Sequence, residues 1–378
     1  MEEWKSYKMG DLFTLEYGKP VEDKDSIDGP IPVFGTNGQI GTSHLAPLCN
    51  HPSVILGRKG AYRGVHFSDR PFSVIDTAFY VEPISDVFDI KWLYYKLLTY
   101  DINSMDSGSA IPSTDRYQIY SLSIDLPSLE VQKRTVRVLD SINDKIALNN
   151  RINHNLEEQA QALYKSWFID FEPFKDGKFV DSELGMIPER WAVGSIYDLA
   201  DIYYGAPFNS NLFNTEKRGL PLIRIRDLAK QEAGVFTEEK HAKGRLTSKG
   251  DILVGMDGEF SIYIWGGDES WINQRISLFI PKNRIGHYFL TESLRPLLKA
   301  VEASEVATTV IHIGKNDYDK FRVILPPQAV LDRFYTLTEP LYWQYVDNLS
   351  SARVLANTRD SLLPRLMSGD LKSIDLTC

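Results

Sequence analysis

Two long stretches of the chain have apolar residues at every third or fourth position, which predicts two long helices. The first stretch runs from Val131 to about Phe171, and the second, offset by 199 residues, runs from Val330 to about Met367. Apolar residues at this spacing form the seam of a coiled coil. The first seam comprises Leu139, Ile142, Ile146, Asn149, Leu156 and Leu163, and the second comprises Leu341, Tyr345, Asn348, Leu355, Leu362 and Leu366.

One polar position recurs in both seams. Asn149 aligns with Asn348, and a single asparagine in a seam sets the register of a coiled coil. A helix with one apolar stripe is unstable alone, so we expect the two seams to pack on each other as an antiparallel pair. Ordinary core packing inside a helical domain is the alternative interpretation of the two stripes.

The residues before each long helix follow a different pattern. Short alternating runs such as Ser53 to Gly57, Phe72 to Val81 and Ser121 to Leu126 predict strands, and they are separated by Gly and Pro. The stretches from Ile90 to Tyr100 and from Leu290 to Val301 predict short amphipathic helices. Each half of the chain is therefore expected to contain an α+β domain.

The two halves are diverged copies of one sequence. WKSYKMGDLFTLEYGKP, from Trp4, matches WAVGSIYDLADIYYGAP, from Trp191, at six of 17 positions. Two long copies indicate a duplicated domain rather than a solenoid. The predicted organisation is a first domain over residues 1–128, a first long helix over 129–175, a second domain over 184–327 and a second long helix over 328–372.

A duplicated domain with antiparallel helices predicts a pseudo-twofold axis. Double-stranded DNA has such an axis as well, and dimeric DNA-binding proteins use it to contact two half-sites. Because the two copies have diverged, they would read two different half-sites.

Composition and charge narrow the classes of function. The 378 residues include two cysteines, which form neither a metal-binding nor a disulfide pattern. The net charge is −9. No segment resembles an export signal or a membrane span, so we expect a cytoplasmic protein. Residues 1–129 have 11 basic and 17 acidic side chains, and residues 184–327 have 18 of each. Any binding of DNA would therefore depend on local clusters of basic residues or on partner subunits.

The motifs of DNA-modifying enzymes are missing from the sequence. It contains neither an Asn-Pro nor an Asp-Pro dipeptide, no Walker A motif and no close histidine pair. We therefore expect no catalytic residues, no metal and no cofactor in this chain.

Candidate base-reading residues lie on Gly-bounded turns, because Arg, Lys, Asn and Gln side chains on such turns can reach base edges. Solvent-exposed loops without a ligand are the alternative. In the first domain the candidates are Asn37, Gln39, Arg58, Lys59, Tyr62, Arg63, Ser109 and Arg116, and in the second they are Arg224, Arg226, Gln274, Arg275 and Lys315. Arg224 and Arg226 are expected on one face of a strand.

Four segments resemble the specificity (S) subunit of type I restriction-modification systems, and the resemblance covers almost the whole chain. They are SWFIDFEPFKDG (residues 166–177), ELGMIPERW (183–191), LLPRLMSGDL (362–371) and IDLPSLEVQKR (124–134). The entrance to the second helix, ILPPQAVLDRF (324–334), lacks the Gln found at position 132. The resemblance implies two target recognition domains that alternate with the two long helices.

The resemblance also implies partners and cofactors. The chain would read a bipartite target in double-stranded DNA and would hold two methyltransferase (M) subunits, which bind S-adenosylmethionine. Restriction (R) subunits that use ATP and Mg²⁺ would join the complex. Two alternatives remain at this point: a coiled-coil scaffold or anti-restriction relative that binds proteins, and an enzyme that acts on DNA alone.

Overall fold

The chain forms two compact units. A computed structural model describes residues 4–105, 112–282, 284–304 and 311–372. Residues 1–144 with 356–378 form the first unit, and residues 145–355 form the second. The boundary between the units therefore falls inside both long helices, whereas the domains predicted from the sequence end where the long helices begin.

Eight α-helices occur in the described residues. They are α1 (Ile90–Leu97), α2 (Arg116–Ser121), α3 (Leu129–Tyr164), α4 (Ile196–Leu199), α5 (Ile225–Leu228), α6 (His287–Ser304), α7 (Lys315–Tyr318) and α8 (Gln328–Ser368). Asp89 caps α1, because its carboxylate accepts from the main-chain N–H groups of Lys91 and Trp92.

In its described residues, the first unit contains nine strands in three sheets. They are β1 (Lys5–Lys8), β2 (Phe13–Tyr17), β3 (Ile31–Gly35), β4 (Gly38–Ser43), β5 (Ser53–Gly57), β6 (Val65–Ser68), β7 (Ser73–Val74), β8 (Ala78–Pro83) and β9 (Ser123–Leu126). One sheet has the order β2-β8-β5-β6, a second has the order β4-β3-β7, and β1 pairs with β9.

The second unit includes a short hairpin of β10 (Phe179–Val180) and β11 (Ile187–Pro188), which precedes its other strands. Its strands are β12 (Ala192–Ser195), β13 (Ala200–Tyr204), β14 (Phe213–Asn214), β15 (Leu220–Ile223), β16 (Val235–Thr237), β17 (Leu246–Thr247), β18 (Ile252–Gly255), β19 (Ile262–Ile264), β20 (Ser270–Ile272), β21 (Ile276–Pro281) and β22 (Arg322–Leu325). The sheets have the orders β13-β21-β18-β19 and β14-β16-β15-β20-β17, and β12 pairs with β22.

The pairing of the strands shows the duplication directly. The order β2-β8-β5-β6 in the first unit repeats as β13-β21-β18-β19 in the second. The parallel pair β3 and β7 repeats as β15 and β20, and the antiparallel pair β1 and β9 repeats as β12 and β22. The two copies therefore have one fold, although few of their residues are identical.

The end of one long helix completes the core of each unit. In the first unit, Leu366 and Met367 of α8 are buried in the cluster that contains Trp92 of α1. In the second unit, Trp167 and Phe168, just beyond α3, are buried in the cluster that contains Phe289 of α6. Burying such side chains stabilises a domain by about 1.5–3 kcal/mol each, so each unit needs a helix from the other copy of the repeat.

Within the second unit, α3 and α8 pair antiparallel through buried amides. Asn348 donates from Nδ2 to Oδ1 of Asn153 (2.9 Å), and Asn153 donates to the main-chain oxygen of Tyr345 (3.1 Å). The Asn149 amide lies 3.5 Å from the main-chain oxygen of Asn348. These asparagines are 1–7% exposed, so the polar seam positions expected from the sequence lie between the helices.

The seams themselves are buried to different degrees. Leu139, Asn149, Leu156, Asn348 and Leu366 are buried, whereas Ile142, Ile146, Leu163, Leu341, Tyr345, Leu355 and Leu362 are partly exposed. In the first half of α8 the most buried residues form another face. They are Leu331, Phe334, Thr338, Tyr342 and Val346, and the four apolar members of this group belong to the core of the second unit. This half of α8 thus packs on its own domain as well as on α3.

The first long helix ends earlier than the sequence pattern suggests. After Tyr164 it widens into a π-helical turn over Lys165–Ile169, and Phe171 has a left-handed backbone with φ of 51°. The wider turn lets the adjacent residues Trp167 and Phe168 both reach the core. The α-helix therefore ends at Tyr164, short of the residue 175 expected from the sequence.

Candidate nucleic-acid interface

Four loops of the first unit meet at one surface. The hydroxyl of Thr36, after β3, lies 2.7 Å from the main-chain oxygens of Lys59 and Thr77. The loop after β5 is joined to the segment before α2, because Gly60 donates to the oxygen of Pro112 (3.0 Å). The candidate residues on these turns, which are far apart in sequence, are therefore neighbours.

The second unit builds the same surface with matching main-chain hydrogen bonds. Arg58 donates to Thr77 in the first unit (2.8 Å), and Met256 donates to Arg275 in the second (2.9 Å). Gly258 donates to the oxygen of Ile311 (3.1 Å), as Gly60 does to that of Pro112. The bonds and the strand register show which positions of the two units are equivalent. Met256 corresponds to Arg58, Asp257 to Lys59, Arg275 to Thr77, His312 to Ser113 and Lys315 to Arg116.

A repeated Tyr-Gly pair borders this surface in both units. A Cβ atom on Gly18 would lie 2.0 Å from the main-chain oxygen of Ile75, and one on Gly205 would lie 2.0 Å from that of Asn273. Only glycine allows the two segments to approach so closely. The close approach brings the preceding residue, Tyr17 or Tyr204, to the edge of the loops.

In the first unit, two arginines lie against one aromatic ring. The guanidinium carbons of Arg58 and Arg116 are 4.9 and 5.1 Å from the centroid of the Tyr17 ring. Arg58 also donates from Nη1 to the main-chain oxygen of Asp76 (2.8 Å). Arg116 donates to the hydroxyl of Tyr117 (3.3 Å), and this bond raises the pKa of Arg116. The side chains of both arginines are only partly buried, although the Nε atom of Arg116 is itself buried and has no hydrogen-bond partner among the described residues.

The other candidates of the first unit differ in their exposure. Asn37, Gln39 and Tyr62 are exposed on the same surface, and Tyr62 is 66% exposed. Lys59 lies 3.5 Å from a carboxylate oxygen of Asp76. Ser109 lies outside the described residues.

Arg63 is a structural residue, which corrects its place among the base-reading candidates. It is 2% exposed, and its guanidinium donates to the main-chain oxygens of Gly60 (3.0 Å) and Asn103 (2.8 Å). The side chain of Asn103 in turn accepts from the main-chain N–H of Arg63 (2.7 Å). Arg63 therefore fixes the loop after β5 from within, and its side chain is not presented on the loop surface.

The expectation that Arg224 and Arg226 lie on one face of a strand is wrong. The strand β15 ends at Ile223, and α5 begins at Ile225. Asp227 accepts from both the main-chain N–H and Nε of Arg224 (3.0 and 2.9 Å), which turns the chain into a helix. Arg224 is thus paired with a carboxylate, whereas Arg226 is exposed.

A different set of side chains lies on the equivalent surface of the second unit. His312 contacts Asp257 (Nδ1 to Oδ1, 2.8 Å), and Nη1 of Arg275 lies 3.2 Å from the same histidine nitrogen. Gln274 is exposed beside Arg275. Lys315 is paired with Asp319 (2.8 Å), and this bond raises the pKa of Lys315 and lowers that of Asp319.

Sequence reasoning missed four residues of these surfaces: Tyr17, His66, Asp257 and His312. The repeated Tyr-Gly pair was the signal that could have found Tyr17. His66 lies beneath the first surface, with Nε2 3.4 Å from the main-chain oxygen of Thr36. Asp257 and His312 lie on this surface because a β-bridge joins their two segments. The sequence pattern alone does not show that pairing.

Within the described parts of the chain, no three His, Cys, Asp or Glu side chains are grouped so that they could bind a metal ion. None of the helices described there has both the length and the apolar composition needed to cross a membrane.

Comparison with known proteins gives one consistent result. The family model described as "Type I restriction modification DNA specificity domain" matches residues 1–158 and 188–330. The MjaIX specificity subunit of a type I restriction enzyme from Methanocaldococcus jannaschii is 30% identical over 306 residues, which are 76% of this chain and 70% of that protein.

Two further matches extend over most of the chain. The HindI specificity subunit from Haemophilus influenzae is 23% identical, with 79% of this chain and 81% of that protein covered. The crystal structure of a type I restriction-modification S subunit from M. genitalium covers 96% of both chains at a TM-score of 0.62 and 15% identity. That structure has the same fold.

Proposed function

Because the chain belongs to the family of type I restriction-modification DNA specificity proteins, we propose that it selects the DNA sequence on which a type I complex acts. It would read a bipartite target in double-stranded DNA, with one half read by each copy of the repeat. A DNA-reading role accounts for the basic, amide and aromatic side chains that the joined loops present.

One observation carries the proposal: a common main-chain frame presents different side chains in the two units. The bonds from Arg58 to Thr77 and from Met256 to Arg275 differ in length by only 0.1 Å (2.8 against 2.9 Å). The side chains at these positions nevertheless differ in charge and size. A conserved frame with variable side chains is the arrangement that two readers of different base sequences require.

We further propose that the chain works as a non-catalytic subunit. By the family resemblance, it would hold two methyltransferase subunits, and S-adenosylmethionine would bind to those subunits rather than here. Restriction subunits would supply ATP- and Mg²⁺-dependent cleavage. The net charge of −9 fits a subunit whose partners contribute much of the positive charge that faces the phosphates.

Sequencing of methylated adenines tests this function. Host cells with the intact gene should contain methylated adenines within a bipartite motif, and deletion of the gene should remove methylation from that motif. A chain with Arg275→Ala should change the base preference in one half of the motif and leave the other half unchanged, because Arg275 belongs to one unit only.

Two results would contradict the proposal. One is a methylation pattern that does not depend on the gene. The other is methyl transfer or DNA cleavage by the purified chain without partner subunits, which would make it an enzyme in its own right.

A further inference from the structure

We propose that the first unit reads guanine in the major groove through Arg58 and Arg116, and that Tyr17 positions both side chains. The inference rests on the proposed function and names the base class that one of its two half-sites contains. It is carried by the geometry of the arginine pair and by the absence of that pair from the second unit.

Both arginines are held but not neutralised. Arg58 contacts the rings of Tyr17 and Phe79, with distances of 4.9 and 5.8 Å to the centroids, and it donates to a main-chain oxygen. Arg116 lies 5.1 Å from the Tyr17 centroid and 5.2 Å from that of Tyr117. Among the described residues, neither guanidinium forms an ion pair with a carboxylate.

Tyr17 restricts the orientation of the two planar groups. A guanidinium on an aromatic face loses rotational freedom before it meets a ligand, which lowers the entropic cost of binding. The Tyr17 ring is 44% exposed, and its edge-to-face contact with Phe79 (5.0 Å between centroids) fixes it to β8. The arginine pair is therefore preorganised against a ring that a strand holds in place.

Guanine is the base that fits this arrangement. In the major groove it presents two acceptors, N7 and O6, at the spacing of two guanidinium N–H groups. Adenine presents one acceptor and one donor there, and cytosine presents a donor. Two restrained, uncompensated guanidinium groups on one surface thus favour guanine over the other bases.

In the second unit, other residues occupy the positions equivalent to Arg58 and Arg116. Met256, which is 6% exposed, occupies the place of Arg58. Lys315 occupies the place of Arg116, and its ammonium is paired with Asp319. The ring equivalent to Tyr17, Tyr204, stacks on Tyr318 with 6.2 Å between centroids. The guanine-reading pair consequently belongs to one half-site only, which would make the target asymmetric.

Selection of duplexes from a randomised DNA pool tests the inference. The full chain in complex with its methyltransferase subunits is used, and bound duplexes are sequenced. The wild-type complex should enrich a bipartite motif with guanine in one half. Arg58→Lys and Arg116→Lys should each lower the preference for guanine in that half by about ten- to hundredfold, because lysine keeps the charge but lacks the bidentate fork.

Matched controls separate base reading from general binding. Arg70→Lys should leave the motif unchanged, since Arg70 is exposed and follows Ser68, which pairs with Ser53 at the end of β5 away from the reading loops. Tyr17→Leu should weaken the preference for guanine, and Tyr17→Phe should restore it because the ring is kept. Equal thermal midpoints of the lysine variants and the wild type would show that both are folded.

The possible results distinguish the two proposals. If the wild-type complex enriches no sequence at all, the proposed function fails and the inference fails with it. If a bipartite motif appears but both lysine variants keep the same base preference, the proposed function stands and the guanine-reading pair is refuted. A uniform loss of affinity without a change of motif would assign the arginines to phosphate contacts and would also refute it.

Discussion

His66 is a single residue that lies directly beneath the reading surface of the first unit. Its ring lies under two reading loops, because Cβ atoms built on Gly38 and Gly64 would lie 3.4 and 2.4 Å from it. Burial lowers the pKa of His66, although the contact with the main-chain oxygen of Thr36 acts in the opposite direction. The folded protein therefore favours the neutral ring.

This shift predicts a loss of stability in mild acid. The unfolded chain binds the proton first, since its histidine pKa is about 6.5. The contribution of His66 is fully present above that pH and is lost as the pH falls towards the lower pKa of the folded state. His66→Gln, which keeps an N–H donor but does not titrate, should show a smaller drop in thermal midpoint between pH 7.5 and pH 5.5 than the wild type. Equal drops in both proteins would exclude this role of His66.

The sequence predicts the loops of the reading surface better than it predicts individual residues on them. Glycine boundaries and basic side chains identify the loop that contains Arg58 and Arg63, and both residues look alike in the sequence. Contacts to residues 40 positions away decide between them, because Asn103 accepts from the main chain of Arg63 and buries it. Local patterns carry no information about such contacts.

At the scale of elements, the buried asparagines of α3 and α8 determine the register of the helix pair. Asn348 donates to Asn153, and Asn153 donates to the main chain of α8 beside it. Buried amides of this kind cost stability compared with apolar residues, but they favour one alignment of the helices.

A double-mutant cycle on this pair gives a measurable prediction. Asn348→Leu alone should reduce the free energy of unfolding by about 1–3 kcal/mol, because the Asn153 amide loses its buried partner. The double variant with Asn153→Leu should cost less than the sum of the single variants, since no unpaired amide of the pair remains. Chemical denaturation of the full chain measures all four proteins.

Asn150→Leu is the matched control, because Asn150 is exposed on the same helix. It should change the free energy of unfolding by no more than about 0.5 kcal/mol. Additive costs for Asn153 and Asn348 would contradict the coupled network.

Helix periodicity revealed the long helices from sequence, but it did not reveal all of their packing. The stripe through Leu341 and Tyr345 was visible, whereas the deeper stripe through Phe334 and Tyr342 was not expected. A helix that packs on two partners has two apolar faces, and a search for one seam finds only one of them. The same limit applies to Arg224, because a carboxylate three residues later turned an expected strand into a helix.

At the scale of the whole chain, the duplication was the most informative feature of the sequence. Six identities between segments 187 residues apart indicated two copies of one domain, and the sheet orders of the two units agree with that. The sequence did not show that each unit incorporates one end of each long helix. That exchange depends on tertiary contacts such as those of Leu366 and Phe168 with the two cores.

The charge balance of the chain predicts an unusual dependence of DNA binding on salt. Each phosphate contact adds about 0.9 to the slope of log K against log salt concentration, so the slope counts basic contacts. Residues 1–129 have more acidic than basic side chains, and Lys59, Arg224 and Lys315 lie close to carboxylates. Few basic groups therefore remain for phosphates, and the purified chain should bind its target weakly with a slope below about 5 in magnitude.

The assembled complex should behave differently, because its methyltransferase subunits would supply the missing cations. Fluorescence anisotropy over a series of salt concentrations measures both slopes with the same target duplex. The complex should bind more tightly and with a steeper slope than the chain alone. A slope near 10 for the isolated chain would show that it neutralises the phosphates itself, and the acidic surface would then need another explanation.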